Sequence, residues 1–133
     1  MSALAASRVV RAGGILILLS GLLHAGLGLP AVLEMIRQGL VTGEARSDVV
    51  VIWVYSSFAM VSLGLIAVIL ASGLKRGSRL AFRGCLVVAV AYLGFAAWAL
   101  VYSSGNPHFI AVAVLGLLVG VPLLLARRQF MAE

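Results

Sequence analysis

The side chains able to carry chemistry in this chain are few, and His24 is the first of them. It lies in a charge-free run, 12–33, eleven positions past Gly13. At about 1.5 Å per helical residue that is about 16 Å into an apolar helix. An ionisable group so deep in a membrane is a functional candidate by default. A histidine near its ordinary pKa suits general acid–base work on a lipophilic substrate. The structural alternative is a neutral imidazole bonded to a neighbouring helix, or to Ser20 one turn earlier. Tyr92 stands at a similar depth in a later apolar run, and Glu34 closes the run that holds His24. If the chain is an enzyme, His24, Tyr92 and Glu34 are its candidate catalytic groups. Read as a binding site, the candidate set is His24, Ser56, Ser57, Met60, Tyr92, Trp98 and Trp53. These residues fall toward one half of the spans, while the other half is plain aliphatic. An aromatic belt at one interface accounts for Trp53 and Tyr102 but not for His24 and Tyr92.

Other chemistries lack residues. His24 and His108 are too few for a metal or haem site, and Cys85 is alone, which excludes an internal disulfide or a zinc–thiolate centre. No metal and no cofactor is expected. No carboxylate lies inside an apolar run, which argues against proton-coupled export on a buried acid. There is no nucleophile motif, phosphate loop or dinucleotide fingerprint.

The elements that position these groups follow from the charges. Three stretches, 12–33, 49–74 and 84–126, contain none. About 20 apolar residues span a bilayer core as a helix. The first two stretches hold one span each. The third is twice as long as one span needs, and Ser103-Ser104-Gly105-Asn106-Pro107 breaks it. The expected fold is an all-α membrane protein: a single four-helix transmembrane domain over 1–133, with helices near 13–35, 48–73, 80–102 and 107–126. The composition agrees, at 63% hydrophobic and 11% charged, with a mean hydropathy of +1.18. The net charge of +6 does not imply nucleic acid, because the bases sit at span ends. The run after Arg8 and Arg11 is too long for a signal peptide core, so the first helix is expected to stay.

Pro30 is expected to kink the first helix. Ser47 or Asp48 offers an N-cap to the second, and Asn106-Pro107 opens the fourth. Gly14, Gly21, Ala25 and Gly28 form a stripe of small residues on the first helix. Met60, Gly64, Ala67 and Ala71 form one on the second, and Ala89, Ala96 and Ala99 on the third. In lipid such stripes let backbones approach closely. Leu63-Gly64-Leu65 before Lys75-Arg76 aligns with Leu115-Gly116-Leu117 before Arg127-Arg128. That match suggests two helical hairpins related as parallel repeats.

Arg8, Arg11, Lys75, Arg76, Arg79, Arg83, Arg127 and Arg128 fall on one side of this topology, with Glu133. Arg37 and Arg46 fall on the other, with Glu34, Glu44 and Asp48. The positive-inside rule then places both termini and the middle loop in the cytoplasm. Labels from outside should reach positions in 39–45 and Ser104, but not Ser78 or Ala132.

In size and layout the chain resembles small bacterial four-helix membrane proteins, including the DoxX-like proteins. The segment Gly21-Leu22-Leu23-His24-Ala25-Gly26 carries that resemblance. It implies a compact bundle in the bacterial inner membrane with an accessory role, and it transfers no catalytic residue. The leading expectation is a non-enzymatic integral membrane protein. It would be an accessory subunit, or bind a lipid or other hydrophobic small molecule in an outward-opening pocket within the bundle. The alternatives are a small enzyme using His24, and an oligomeric transporter or channel subunit. Expected partners are membrane lipids and a membrane-protein partner or second copy, with no nucleic acid.

Overall fold

Four long apolar helices run antiparallel in chain order. A computed structural model describes residues 1–131; Ala132 and Glu133, which enter the labelling and charge expectations, lie outside them. The first span, α1, covers Ala3–Arg37. It is α-helical over Ala3–Leu23 and Leu29–Arg37, with one π turn between, His24–Gly28. Then follow α2, Ala45–Lys75; α3, Arg79–Tyr102; α4, His108–Ala126; and a short terminal helix, α5, Arg128–Met131. Each of the four long helices is long and apolar enough to cross a membrane.

The ends are set by local chemistry. The hydroxyl of Ser2 accepts from Ala5 N–H at 3.2 Å, and that of Ser78 from Ala81 N–H at 3.3 Å. These caps satisfy donors that a helix start leaves free. Gly39 and Gly77 end α1 and α2 in left-handed conformations, φ 76° and 75°. Beyond each, an N–H closes back on the last turn: Leu40 to Met35 O, and Ser78 to Gly73 O, both at 3.0 Å. At the end of α3 two residues are left-handed, Ser104, φ 54°, and Gly105, φ 86°. Asn106 Oδ1 accepts from His108 N–H at 3.0 Å, so the Asn106-Pro107 turn does open α4.

Three sequence expectations change. α1 begins at Ala3 rather than near Gly13, so Arg8 and Arg11 are inside the helix. At about 1.5 Å per residue its 35 residues reach about 50 Å, well beyond a core of about 30 Å. The first turns therefore extend past the hydrocarbon, where arginine is readily solvated. Ser47 does not cap α2: the helix starts at Ala45, and the Ser47 hydroxyl donates to Glu44 O at 2.8 Å. The distortion expected at Pro30 appears as the π turn just before it. Proline lacks the N–H that would meet the carbonyl four residues back, and its ring crowds that carbonyl. Here that residue is Gly26, inside the π turn.

In cross-section the helices follow the order α1, α2, α3, α4, with α1 also against α4. The tightest pair is α1 with α2, and α3 with α4 comes next. The core holds Ile17, Ala67, Ala71, Val88, Ala89, Val119 and Leu123. Leu27, Ile52, Ile69, Val87 and Val101 stay exposed on the outer faces. Such a surface suits lipid as solvent, where apolar outer faces carry no penalty. At the basic end α5 turns back so that Phe130 is buried and stacks on Phe82, centroids 5.2 Å apart.

Candidate functional site

α1 and α2 meet backbone to backbone. A Cβ added at Gly64 would stand 2.5 Å from Leu18 N and 2.8 Å from Gly14 O. One at Gly21 would stand 2.8 Å from Val61 N and 2.9 Å from Met60 Cβ. The small-residue stripes therefore face each other, and their absent side chains set the distance between the axes.

Farther toward the acidic end the same seam turns polar. His24 Nδ1 lies 2.9 Å from Ser57 Oγ. Ser57 Oγ is also 2.8 Å from Trp53 O, one turn earlier on α2. Trp53 Nε1–H returns to α1 and donates to His24 O at 2.9 Å. The imidazole and indole rings stack, centroids 4.1 Å apart and planes within 8°. Gly28 makes room for the indole, since a Cβ there would fall 2.4 Å from Trp53 Cζ2. His24, Trp53, Ser57 and Gly28 thus form one interlocked unit at the π turn. Such turns occur where a helix admits an outside group and are frequent at functional sites.

The Ser57 hydroxyl carries one hydrogen and has two acceptors within reach, Trp53 O and His24 Nδ1. With that hydrogen on Trp53 O, Ser57 accepts from a hydrogen on Nδ1; with it directed to Nδ1, the imidazole hydrogen is on Nε2.

Beside this unit is a groove of about 290 Å³ between α1 and α2. Trp53 and Ser57 form one side of it, and Ala25, Leu29, Val54 and Val61 the rest, so that the surface it offers is almost wholly apolar. Phe58 stands at its rim, 70% exposed. The groove lies on the α1–α2 flank, not along the bundle axis, and neither Tyr92 nor His24 is among its walls.

The remaining expected residues are scattered. Ser56 donates to Trp53 O at 2.9 Å, within its own helix. Met60 is half-buried against Gly21. Tyr92 is buried in the core, packs near Gly116, and its hydroxyl has no hydrogen-bond partner. Trp98 belongs to an exposed aromatic group at the far end of α3, stacked on Tyr102 at 5.3 Å and beside Phe95 at 6.1 Å. Glu34 is an exposed carboxylate paired with Arg37 at 2.8 Å and with Gln38 at 3.1 Å. Neither Tyr92 nor Glu34 is hydrogen-bonded to His24. No group of three or more His, Cys, Asp or Glu that could hold a metal is found among the described residues.

The pairing of His24 with Ser57 had a usable signal. His24 lies ten positions inside Glu34, counting 34 − 24, and Ser57 nine inside Asp48, counting 57 − 48. On antiparallel neighbours those are matched depths. The contribution of Leu29, Val54 and Val61 had none, because apolar residues in lipid carry no periodic mark of the face they present.

Comparison with family models, with curated proteins and with solved structures gives no match.

Proposed function

We propose that this is a non-enzymatic protein of the bacterial cytoplasmic membrane that binds a lipid or another hydrophobic small molecule beside His24. The observation that carries the reading is the interlocked His24–Trp53–Ser57 unit at the edge of an apolar groove. Predominantly apolar walls are usual in a small-molecule site. Three contacts and Gly28 hold the Trp53–Ser57 side, so ordering it costs little when a ligand arrives. His24 does not itself line the groove; it holds Ser57 and Trp53, which do. An acid–base reading has less support, because the assisting groups foreseen for it, Tyr92 and Glu34, are engaged or placed elsewhere.

The membrane orientation belongs to the same proposal. Eight of ten Lys and Arg lie at the end that carries the N-terminus, the α2–α3 turn and α5. The positive-inside rule makes that end cytoplasmic. Single cysteines introduced at 39–45 or at Ser104, with Cys85 replaced, should label from outside. One at Ser78 should not. A reversed pattern would overturn the orientation.

Purification in mild detergent with mass spectrometry of extracted small molecules tests the binding. Wild type should carry one hydrophobic molecule per chain. Ala25→Phe, which fills the groove, should lose it while keeping its thermal stability. Wild-type protein free of any stoichiometric hydrophobic molecule would overturn the reading, as would full retention in Ala25→Phe.

A further inference from the structure

A second groove, of about 350 Å³, lies at the opposite end of the same helix pair, between the start of α1 and the end of α2. Its walls include Arg8, Arg11 and Lys75, with Leu4, Ala12 and Ile15 beside them. Leu4, Arg8, Arg11 and Ile15 are spaced by four, three and four residues, so they form one stripe on α1. The cations occupy the middle of that stripe. Ile15 follows one turn farther in, about 6 Å beyond Arg11, and is 44% exposed.

Among the described residues, no carboxylate pairs with these charges. The acidic residues described, Glu34, Glu44 and Asp48, all belong to the other end of the molecule. Arg11 is held in place without being consumed, because its Nη2 donates to Ser72 Oγ at 2.9 Å and its remaining guanidinium donors stay available. Ser7, which also lines the groove, gives its hydroxyl to Ala71 O at 2.6 Å and so fixes α1 against α2 at this level. The groove is thus a braced concavity with three cations and an apolar continuation toward the bilayer.

We propose that this groove binds an anionic glycerophospholipid, with the headgroup phosphate between Arg8, Arg11 and Lys75 and an acyl chain along Ala12 and Ile15. Guanidinium forks match phosphate oxygens in pairs, and the lysine adds a point charge. The phosphate alone does not account for the apolar wall, which continues into the depth where acyl chains begin. The site is separate from the groove beside His24 and does not depend on a ligand there.

The test uses full-length protein in nanodiscs of phosphatidylcholine with one-fifth phosphatidylglycerol. It is released for native mass spectrometry, and the lipids retained per chain are counted. Wild type should keep phosphatidylglycerol at least tenfold above its share of the bilayer. The pair Arg8→Gln with Lys75→Gln should lose that enrichment. The control pair Arg127→Gln with Arg128→Gln removes the same charge outside the groove and should keep it within twofold. Lys75→Gln alone, at an exposed helix end, should lose at least threefold and guards against misfolding of the pair. Equal loss in the control pair would reduce the site to a general basic belt and overturn the proposal. So would the absence of enrichment in wild type, or displacement of the lipid by millimolar inorganic phosphate, which would mark a free-anion site. Ala25→Phe should leave this enrichment unchanged, so the two grooves can fail independently.

Discussion

Between α1 and α2 the helices meet at glycine, and the atoms facing Gly64 are backbone atoms of Gly14 and Leu18. Between α3 and α4 the equivalent glycine, Gly116, faces side chains of Leu93 and Tyr92, and Gly120 faces Ala89 Cβ at 3.3 Å. The polar contacts divide in the same way. Among the described residues, the side-chain hydrogen bonds that cross between spans join α1 to α2: at Ser7, Arg11, His24 and Trp53. The α3–α4 seam instead buries a tyrosine hydroxyl without a partner. Lipid offers helices no hydrophobic drive to associate, so association rests on close packing and on polar bonds. The first hairpin uses both, and the second relies mainly on side-chain packing. Both grooves also lie on the first hairpin. The difference separates a seam built for precise placement from one that completes the bundle.

The largest expected effect is at the closest approach. Gly64→Ala places a methyl against backbone that cannot yield without moving a helix, and overpacking of that kind costs about 2 kcal/mol. Gly94→Ala, with nothing within 4 Å of the new Cβ, should change stability by less than about 0.5 kcal/mol. Thermal unfolding in a mild detergent measures both. Equal losses would mean that close approach does not define the α1–α2 seam.

Next in size is the polar unit. Ser57→Ala removes the hydrogen-bond partner of His24 Nδ1, and cross-helix hydrogen bonds in membranes contribute about 0.6 kcal/mol on average, rising to about 1.7 kcal/mol. A loss of about 1 kcal/mol is expected. Trp53→Phe keeps a ring to stack and removes only the N–H, so its loss should be smaller. In a double-mutant cycle of Ser57→Ala with His24→Gln the losses should be clearly non-additive. Strict additivity would show that the two side chains do not interact.

Tyr92→Phe tests the second seam by sign. A buried hydroxyl without a partner costs about 1–3 kcal/mol, so its removal should stabilise the bundle, by up to about 1 kcal/mol after losses in packing. A destabilised Tyr92→Phe would reveal a partner for that hydroxyl inside the bundle. The smallest effect should come from Glu34→Gln, because an exposed pair such as Glu34–Arg37 contributes at most about 0.5 kcal/mol. A loss above 1 kcal/mol there would give the acidic end a structural weight that its exposure does not suggest.

Much of this architecture is written in one dimension. Charge-free runs of bilayer length dictate four helices, because lipid leaves a backbone no other way to satisfy its polar groups. The break at 103–107, the turn at Asn106-Pro107 and the common end shared by eight bases follow from residue types alone. The small-residue stripes mark faces of close approach without reference to any partner. Helix starts were less legible. The α-helical turn that carries Arg8 reads as a flank until Ser7 and Arg11 are seen bonded to α2.

The tertiary structure decided which residues share a site. His24 and Tyr92 have similar depths, yet depth fixes one coordinate, and the rotation of each helix about its axis fixes the others. That rotation comes from the Gly14–Gly64 and Gly21–Val61 contacts, which turn His24 toward Ser57 and Trp53. In water, a polar outer face would have revealed the rotation through hydrophobic periodicity. In lipid both faces are apolar, so the sequence determines which helices exist, and only their packing determines what meets between them.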